Sequence, residues 1–258
     1  MRWPPSDSKT TLIREKQTAP PNTVAAEIQS HIFCNLNTPG LHLTKRFQAA
    51  ILKTKERPIF YILKKKEGTT VKDRAIGVFV GSLRKASYSR AIANFVSSLA
   101  PENFQMRMMD LSGLPMYNQD LDDEGRPPEA WIKFREDVRP LDGCLFVTPE
   151  YNRSYPAVLK NALDVGSRPY GKNAWDGKAG GIISVSPGNL GAFGANQHLR
   201  QPMVFLNILL LQQPEAYLGN VKAILNESGQ VTNESTKQYL KQYMDAFAKW
   251  VELISEKH

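Results

Sequence analysis

Ala75-Ile76-Gly77-Val78-Phe79-Val80 runs directly into Gly81-Ser82-Leu83-Arg84-Lys85-Ala86-Ser87-Tyr88-Ser89-Arg90. Apolar residues in an unbroken run, with no polar alternation, suit a strand buried on both faces. Gly81-Ser82 bounds that strand. From Ser87 to Ala100, Ile92, Phe95, Val96 and Leu99 then recur at helical spacing.

The same alternation continues along the chain. Strands are expected at Phe104–Met109, Gly143–Thr148 and 180–186, with a fifth at 215–218. Helices are expected over Glu129–Val138, with Trp131, Ile132, Phe134, Arg135 and Val138 toward one side, and from Pro156, in the first turn, through Leu163. A mostly apolar helix is expected at 197–210. A last one carries Leu240, Tyr243, Met244, Phe247, Trp250, Val251 and Ile254 on one stripe. Strands alternating with helices argue for a parallel sheet covered on both faces, an α/β three-layer domain. In such sheets a ligand lies beyond the carboxyl ends of the strands, near the point where the strand order reverses. The loops after Val80, Thr148 and Ser186 are therefore the ones to read for function.

Composition narrows the classes. The chain has 258 residues, 41% hydrophobic and 22% charged, with 17 Gly and 17 Pro, which fits a soluble globular protein and excludes a collagenous or wholly disordered one. No apolar run approaches the roughly 20 residues that cross a bilayer. Cys34 and Cys144 do not make a disulfide framework, so a reducing, cytoplasmic setting is expected. The net charge of +8 is unevenly spread: residues 1–72 carry 13 Lys+Arg against 5 Asp+Glu, and residues 73–258 carry 20 against 20. The basic excess belongs to a Pro-interrupted segment without sustained periodicity, so neither nucleic acid nor membrane is an expected partner. Residues 1–72 are expected to be a basic, disordered amino-terminal extension beside the domain at 73–258. Val71 suits a GTG initiation codon, on which reading residues 1–70 are an artefact of start-site assignment.

The first loop joins a buried strand to a helix amino terminus, where free amides and the helix dipole favour anions. Ser82, Ser87 and Ser89 add hydroxyl donors, and Arg84 adds a guanidinium fork that matches phosphate. Taken alone, Ser87 is an ordinary helix cap. The three hydroxyls with Arg84 point to a cradle for a terminal monophosphate. No Gly-Lys-Ser/Thr of a Walker loop follows, and the Gly-x-Gly-x-x-Gly of a dinucleotide fold is missing. The second loop, Thr148-Pro-Glu-Tyr-Asn-Arg-Ser-Tyr-Pro156, is stiffened by proline at both ends and offers an aromatic to a planar ligand. The third, Ser186-Pro-Gly-Asn-Leu-Gly-Ala-Phe-Gly-Ala195, lets backbone come close to something flat.

These segments carry a resemblance. Gly-Ser-Leu-Arg-Lys-x-Ser-x-Ser at 81–89, Thr-Pro-Glu-Tyr-Asn at 148–152, Leu-Lys-Asn-Ala-Leu-Asp at 159–164 and His-Leu-Arg-Gln at 198–201 resemble the NADPH-dependent FMN reductases of flavodoxin-like fold. Bacterial quinone/chromate reductases and related azoreductases are among them. The resemblance spans residues 75 to about 255 and does not touch 1–72. It departs at Ser89, where many relatives carry Asn, and at Arg153, where some carry an aromatic or small residue.

The resemblance implies a five-stranded parallel sheet in the order 2-1-3-4-5 with helices on both faces. It implies that Ser82, Arg84, Ser87 and Ser89 hold the FMN phosphate, that Pro149, Glu150, Tyr151 and Asn152 line the isoalloxazine ring, and that Ser186 and Gly188 close the other side. NADPH or NADH is the implied co-substrate, a small-molecule electron acceptor the partner, and a homodimer or homotetramer the assembly. With flavin chemistry, no protein acid, base, nucleophile or metal is required. Arg126, Arg153 and Arg200 are candidates for a 2′-phosphate, and no spacing singles one out.

Three rivals are weaker. A flavodoxin-type electron carrier also binds FMN but is usually acidic, and this domain is neutral. A small tyrosine phosphatase needs a Cys with Arg six positions on, where Cys144 is followed by Glu150. A nucleic-acid-binding protein would rest on the basic leader alone.

Overall fold

The sheet is parallel throughout, and its strand order is what sets the three loops side by side. The computed structural model describes residues 72–256, so the expectations for 1–71, the extension and its start site among them, lie outside the described residues. The elements are β1 (Arg74–Val80), α1 (Tyr88–Ser97), β2 (Phe104–Met109), α2 (Gln119–Asp123), α3 (Glu129–Val138), β3 (Gly143–Thr148) and α4 (Ala157–Gly166). They continue with β4 (Ala179–Val185), α5 (Phe193–Phe205), β5 (Leu209–Leu210), β6 (Ala216–Leu218), α6 (Val221–Ile224) and α7 (Glu234–Ser255). The order is β2-β1-β3-β4-β5, with β6 also on β4. The reversal falls between β1 and β3, where Gly77 pairs with Cys144 and Val80 with Val147.

Alternate residues of the central strands feed two separate cores, which is why the strands read as continuously apolar. Ile76, Val78 and Val80 of β1, Leu145 and Val147 of β3, and Ile183 and Val185 of β4 face α1 and the long stripe of α7. Phe79, Cys144, Phe146 and Ile182 face α3, α4 and α5, with Trp175 among them. The α3 face is narrower than expected: Trp131, Phe134, Arg135 and Val138 are buried, but Ile132 stays exposed. Pro156 is the cap of α4 rather than part of its first turn. The five-residue α2 had no periodicity to reveal it. It is fastened by a buried fork from Arg135, whose two terminal nitrogens donate to Asp122 at 2.9 and 2.7 Å while Nε donates to the Val165 carbonyl at 2.8 Å.

The apolar run at 206–211 departs most from expectation. It does not prolong a helix to 210. Helix α5 stops at Phe205, Asn207 takes a left-handed φ of 56°, and Leu209–Leu210 pair with Ala179 and Gly180 as a short strand. Chain then leaves the sheet and returns as β6, which pairs with Ile183 to Val185. The fifth strand expected at 215–218 is thus found as β6, and β5 is an additional piece on the same neighbour.

Cys144 is wholly buried in β3, and burial pushes its thiol up to about 12. At pH 8 the thiolate fraction is then on the order of 10⁻⁴. In a Cys34→Ser variant, Ellman's reagent is expected to find no reactive thiol in the native protein and one after denaturation. Rapid native labelling would contradict the burial.

Candidate functional site

The first loop leaves β1 and is pinned at once, since the Gly81 N–H donates to the Val147 carbonyl at 2.9 Å. Ser87 caps α1: its Oγ accepts from the Arg90 N–H at 3.2 Å and its carbonyl from the Ala91 N–H at 3.0 Å. Upstream of those bonds the loop is left with unused donors. Among the described residues, no backbone N–H from Ser82 through Ser89 has a partner, and neither does the hydroxyl of Ser82 or Ser89. Both serines are nonetheless 4% and 2% exposed. Among the described residues no buried side-chain polar atom lacks a partner, so these two hydroxyls reach the surface of the loop, and accessible donors at a helix amino terminus suit an anion. Arg84 is exposed at the rim. The four expected cradle residues therefore fall within eight positions: Ser82 and Arg84 in the loop, Ser87 as the cap of α1 and Ser89 in its first turn.

The second loop follows β3 and touches the first: a Cβ built on Gly81 would lie 3.0 Å from Pro149 Cδ. Thr148 is buried and its hydroxyl donates to the Pro149 carbonyl at 2.8 Å. Tyr151 and Ser154 exchange both backbone bonds, at 2.8 and 3.0 Å, around Asn152 and Arg153, with φ of 50° and 67°. Two positive φ values in a two-residue connection make a tight turn whose twist matches its flanks. Tyr151 stands half-exposed beside it.

The third loop follows β4. Ser186 Oγ accepts from the Gly188 N–H at 3.0 Å, and the Ser186 N–H donates to Leu218 of β6 at 2.9 Å. Gly191, with φ of 59°, lies so close to the Tyr217–Leu218 backbone that a Cβ would sit 2.7 Å from the Tyr217 carbonyl carbon, a place for glycine alone. Ser184 Oγ donates to the Gly191 carbonyl at 2.7 Å from inside the sheet.

One tie was invisible in the sequence. The cap position of α5 is Ala192, which has no side-chain acceptor. Glu150 supplies one from the second loop, its Oε2 accepting from the Ala195 N–H at 3.1 Å, with Arg153 3.4 Å from its other oxygen. Ser154 and His198 make a second link at 3.2 Å. A Cβ on Gly194 would lie 3.0 Å from Glu150 Oε2 and 3.1 Å from the Arg153 carbonyl, so glycine there permits the close approach. Glu150 is thus turned toward α5, and the second loop and α5 are locked together. Losing such a cap costs about 1 kcal/mol. Glu150→Ala is expected to lose about that much in thermal unfolding, while Glu150→Gln, which keeps an acceptor oxygen, loses far less. Equal behaviour of the two would argue against the tie.

The candidate 2′-phosphate residues are scattered. Arg126 is paired with Glu124, Arg153 sits in the turn, and Arg200 reaches Asn196 at 3.1 Å and Glu215 at 3.8 Å. Near Arg200, burial and the Glu215 carboxylate push the Tyr217 phenol up to about 12, so it stays neutral while accepting from Gln197 Nε2 at 2.7 Å.

Strand order 2-1-3-4-5 with three loops at the carboxyl ends of the strands defines a flavodoxin-like α/β protein. Residues 75–223 match the model of the family described as NADPH-dependent FMN reductase. The quinone reductase of Pseudomonas putida is 50% identical over 179 residues, covering 69% of this chain and 95% of that enzyme. A 2-hydroxy-1,4-benzoquinone reductase of Burkholderia sp is 44% identical over 176 residues, covering 68% and 95%. The structure of FerB, a flavoenzyme NAD(P)H:(acceptor) oxidoreductase from Paracoccus denitrificans, superposes with a TM-score of 0.65 at 36% identity, covering 69% of this chain and 97% of that one. The chain belongs to the NADPH-dependent FMN reductase family. It is accordingly an oxidoreductase that works with FMN and NAD(P)H.

Proposed function

We propose that the chain reduces quinones with electrons from NAD(P)H, holding FMN across the three loops. The carrying observation is the first loop, where the accessible hydroxyls of the otherwise buried Ser82 and Ser89 and consecutive backbone N–H groups lack protein partners among the described residues. That donor set fits a phosphate monoester. Arg84 adds charge at the rim, and Ser87, already a cap through its oxygen, retains its O–H for donation. Pro149, Glu150, Tyr151 and Asn152 would line the ring on one side, with Glu150 acting by fastening the loop to α5, and Ser186 and Gly188 would close the other. When bound, FMN accepts hydride from the nicotinamide and passes electrons to the acceptor, so the protein's task is to orient both and to donate hydrogen bonds. The names of the Pseudomonas and Burkholderia relatives support a quinone as the acceptor.

The test is direct. Purified protein is expected to be yellow, to release FMN rather than FAD on denaturation, to bleach on adding NADPH and to recover colour with a benzoquinone. Bleaching without recovery would exclude the quinone acceptor, and a flavin inert to NADPH would favour an electron carrier.

Helix α5 supports a homo-oligomer. Val204 and Phe205 are 74% and 89% exposed at its end, and Leu190 and Phe193 are exposed at its start, more apolar surface than one face leaves to water without reason. Light scattering is expected to give a dimer or tetramer mass, and a monomer would refute the assembly. No described helix is long and apolar enough to cross a membrane, and the free thiol of Cys144 suits the cytoplasm.

A further inference from the structure

A groove of about 1170 Å³ opens between α1 and the turn that follows α6. Its floor is one face of α1, where Tyr88, Ala91 and Phe95 recur at helical spacing, with Tyr88 and Phe95 half-buried against the core. Its far wall is the turn closed by the Leu225–Val231 bridge. Asn226 holds that wall: its Oδ1 accepts from Ser228 Oγ at 2.8 Å and from the Gln230 N–H at 2.8 Å, and its own N–H donates to the Gln230 carbonyl at 3.0 Å. A wall hydrogen-bonded to itself keeps its shape whether or not a ligand lies against it.

The lining is strongly basic. Arg84, Lys85, Arg90, Lys222 and Lys237 face one carboxylate, Glu227. Lys237 is paired with Glu234 at 2.7 Å, and the other four have no ion-pair partner among the described residues. The domain from residue 73 onward is neutral only with these cations counted, so the positive charge is concentrated locally, and like charges lining one groove favour an anion between them. The groove is not the phosphate cradle seen from outside: Arg84 and Ser87 border both, but Ser82 and Ser89 do not line it.

Cations at the rim and aromatic rings on the floor match a ligand charged at one end and flat at the other, and the volume is in the range of ligand clefts. We propose that this groove binds a phosphorylated nucleotide, its phosphate on Arg90 and Lys222 and its base along Tyr88 and Phe95. The occupant is either the adenylate half of the reductant or a separate adenine nucleotide.

Calorimetric titration of the purified, flavin-loaded protein with adenosine 2′,5′-bisphosphate tests it without turnover, and so independently of any electron acceptor. Saturable binding is expected, weakening with salt and falling at least about tenfold in the Arg90→Gln/Lys222→Gln variant as charge-assisted bonds are lost. Both side chains are exposed, and flavin content should not change. Absence of binding, equal binding by the variant, or release of flavin by the bisphosphate would overturn the proposal. The Michaelis constants then separate the sources. If the variant raises that for NADPH and leaves that for reduced nicotinamide mononucleotide unchanged, the groove takes the reductant's own adenylate. If bisphosphate binding is lost with both constants unchanged, it takes a separate nucleotide.

Discussion

Ser89→Asp is expected to give a folded, colourless protein whose affinity for FMN has fallen by at least about 1000-fold. The position is 2% exposed at the start of α1, and its hydroxyl has no partner among the described residues. Aspartate replaces a donor with an acceptor and sets a second negative charge beside the ester anion. At an effective dielectric of about 20, a unit-charge pair 4 Å apart repels by about 4 kcal/mol, which is about three decades in affinity. Flavin content, measured after denaturation, and fluorescence titration of the apoprotein with FMN read the effect, with circular dichroism to show that the fold survives. Ser89→Ala loses one hydrogen bond to a charged group and should cost about tenfold. If the aspartate variant is purified fully yellow, the phosphate is held elsewhere and the cradle assignment is wrong.

Trp175→Ala should be the most damaging single truncation in the core. The indole is fully buried, within 5.2 Å of Phe79 and 6.0 Å of both Phe134 and Phe146 between ring centres, and its Nε1 donates to the Leu163 carbonyl at 3.0 Å. It fills the space beside Gly166, where a Cβ would lie 2.5 Å from Nε1. Removing it leaves a void shared by α3, α4 and the sheet and takes one of two hydrogen bonds from the Leu163 carbonyl, which keeps the Ser167 N–H at 3.1 Å. Buried Trp→Ala substitutions cost about 3–5 kcal/mol, a large part of the 5–15 kcal/mol typical of a whole domain. For a domain of this size the melting temperature should fall by about 6–20 °C. Scanning calorimetry checks it, and a fall of under about 3 °C would mean that the neighbours collapse into the void.

How much of this was legible in the sequence depends on where each instruction lies. Strands β2 and β3 and helix α3 fall where the pattern put them; for β3 and α3 the reason is burial on both faces, or on one stripe, written into consecutive residues, whereas β2 at the sheet edge buries only Phe104 and Met109. Strand β5 was hidden because a short apolar run suits a buried helix and a buried strand equally. The choice is made by the left-handed Asn207 and by Asn173, whose side-chain amide donates to the Leu206 carbonyl at 2.9 Å, and neither is local periodicity. The three loops were legible through their residue types and their position after strands. The tie from Glu150 to Ala195 was not, since it spans 45 positions and Ala192 carries no capping signal. The basic groove was equally silent: Arg90 and Lys222 lie far apart in sequence, and only the packing of the post-α6 turn against α1 assembles them.

The division of the outer strand into Leu209–Leu210 and Ala216–Leu218 has a consequence for solubility in a crowded cell. An exposed sheet margin invites another chain to add to it, and amyloid-type growth spreads along long, flat, uninterrupted margins. Here an intruder finds two or three residues in register before the template veers away. The flank that carries the third loop is thus guarded against polymerisation by its own discontinuity.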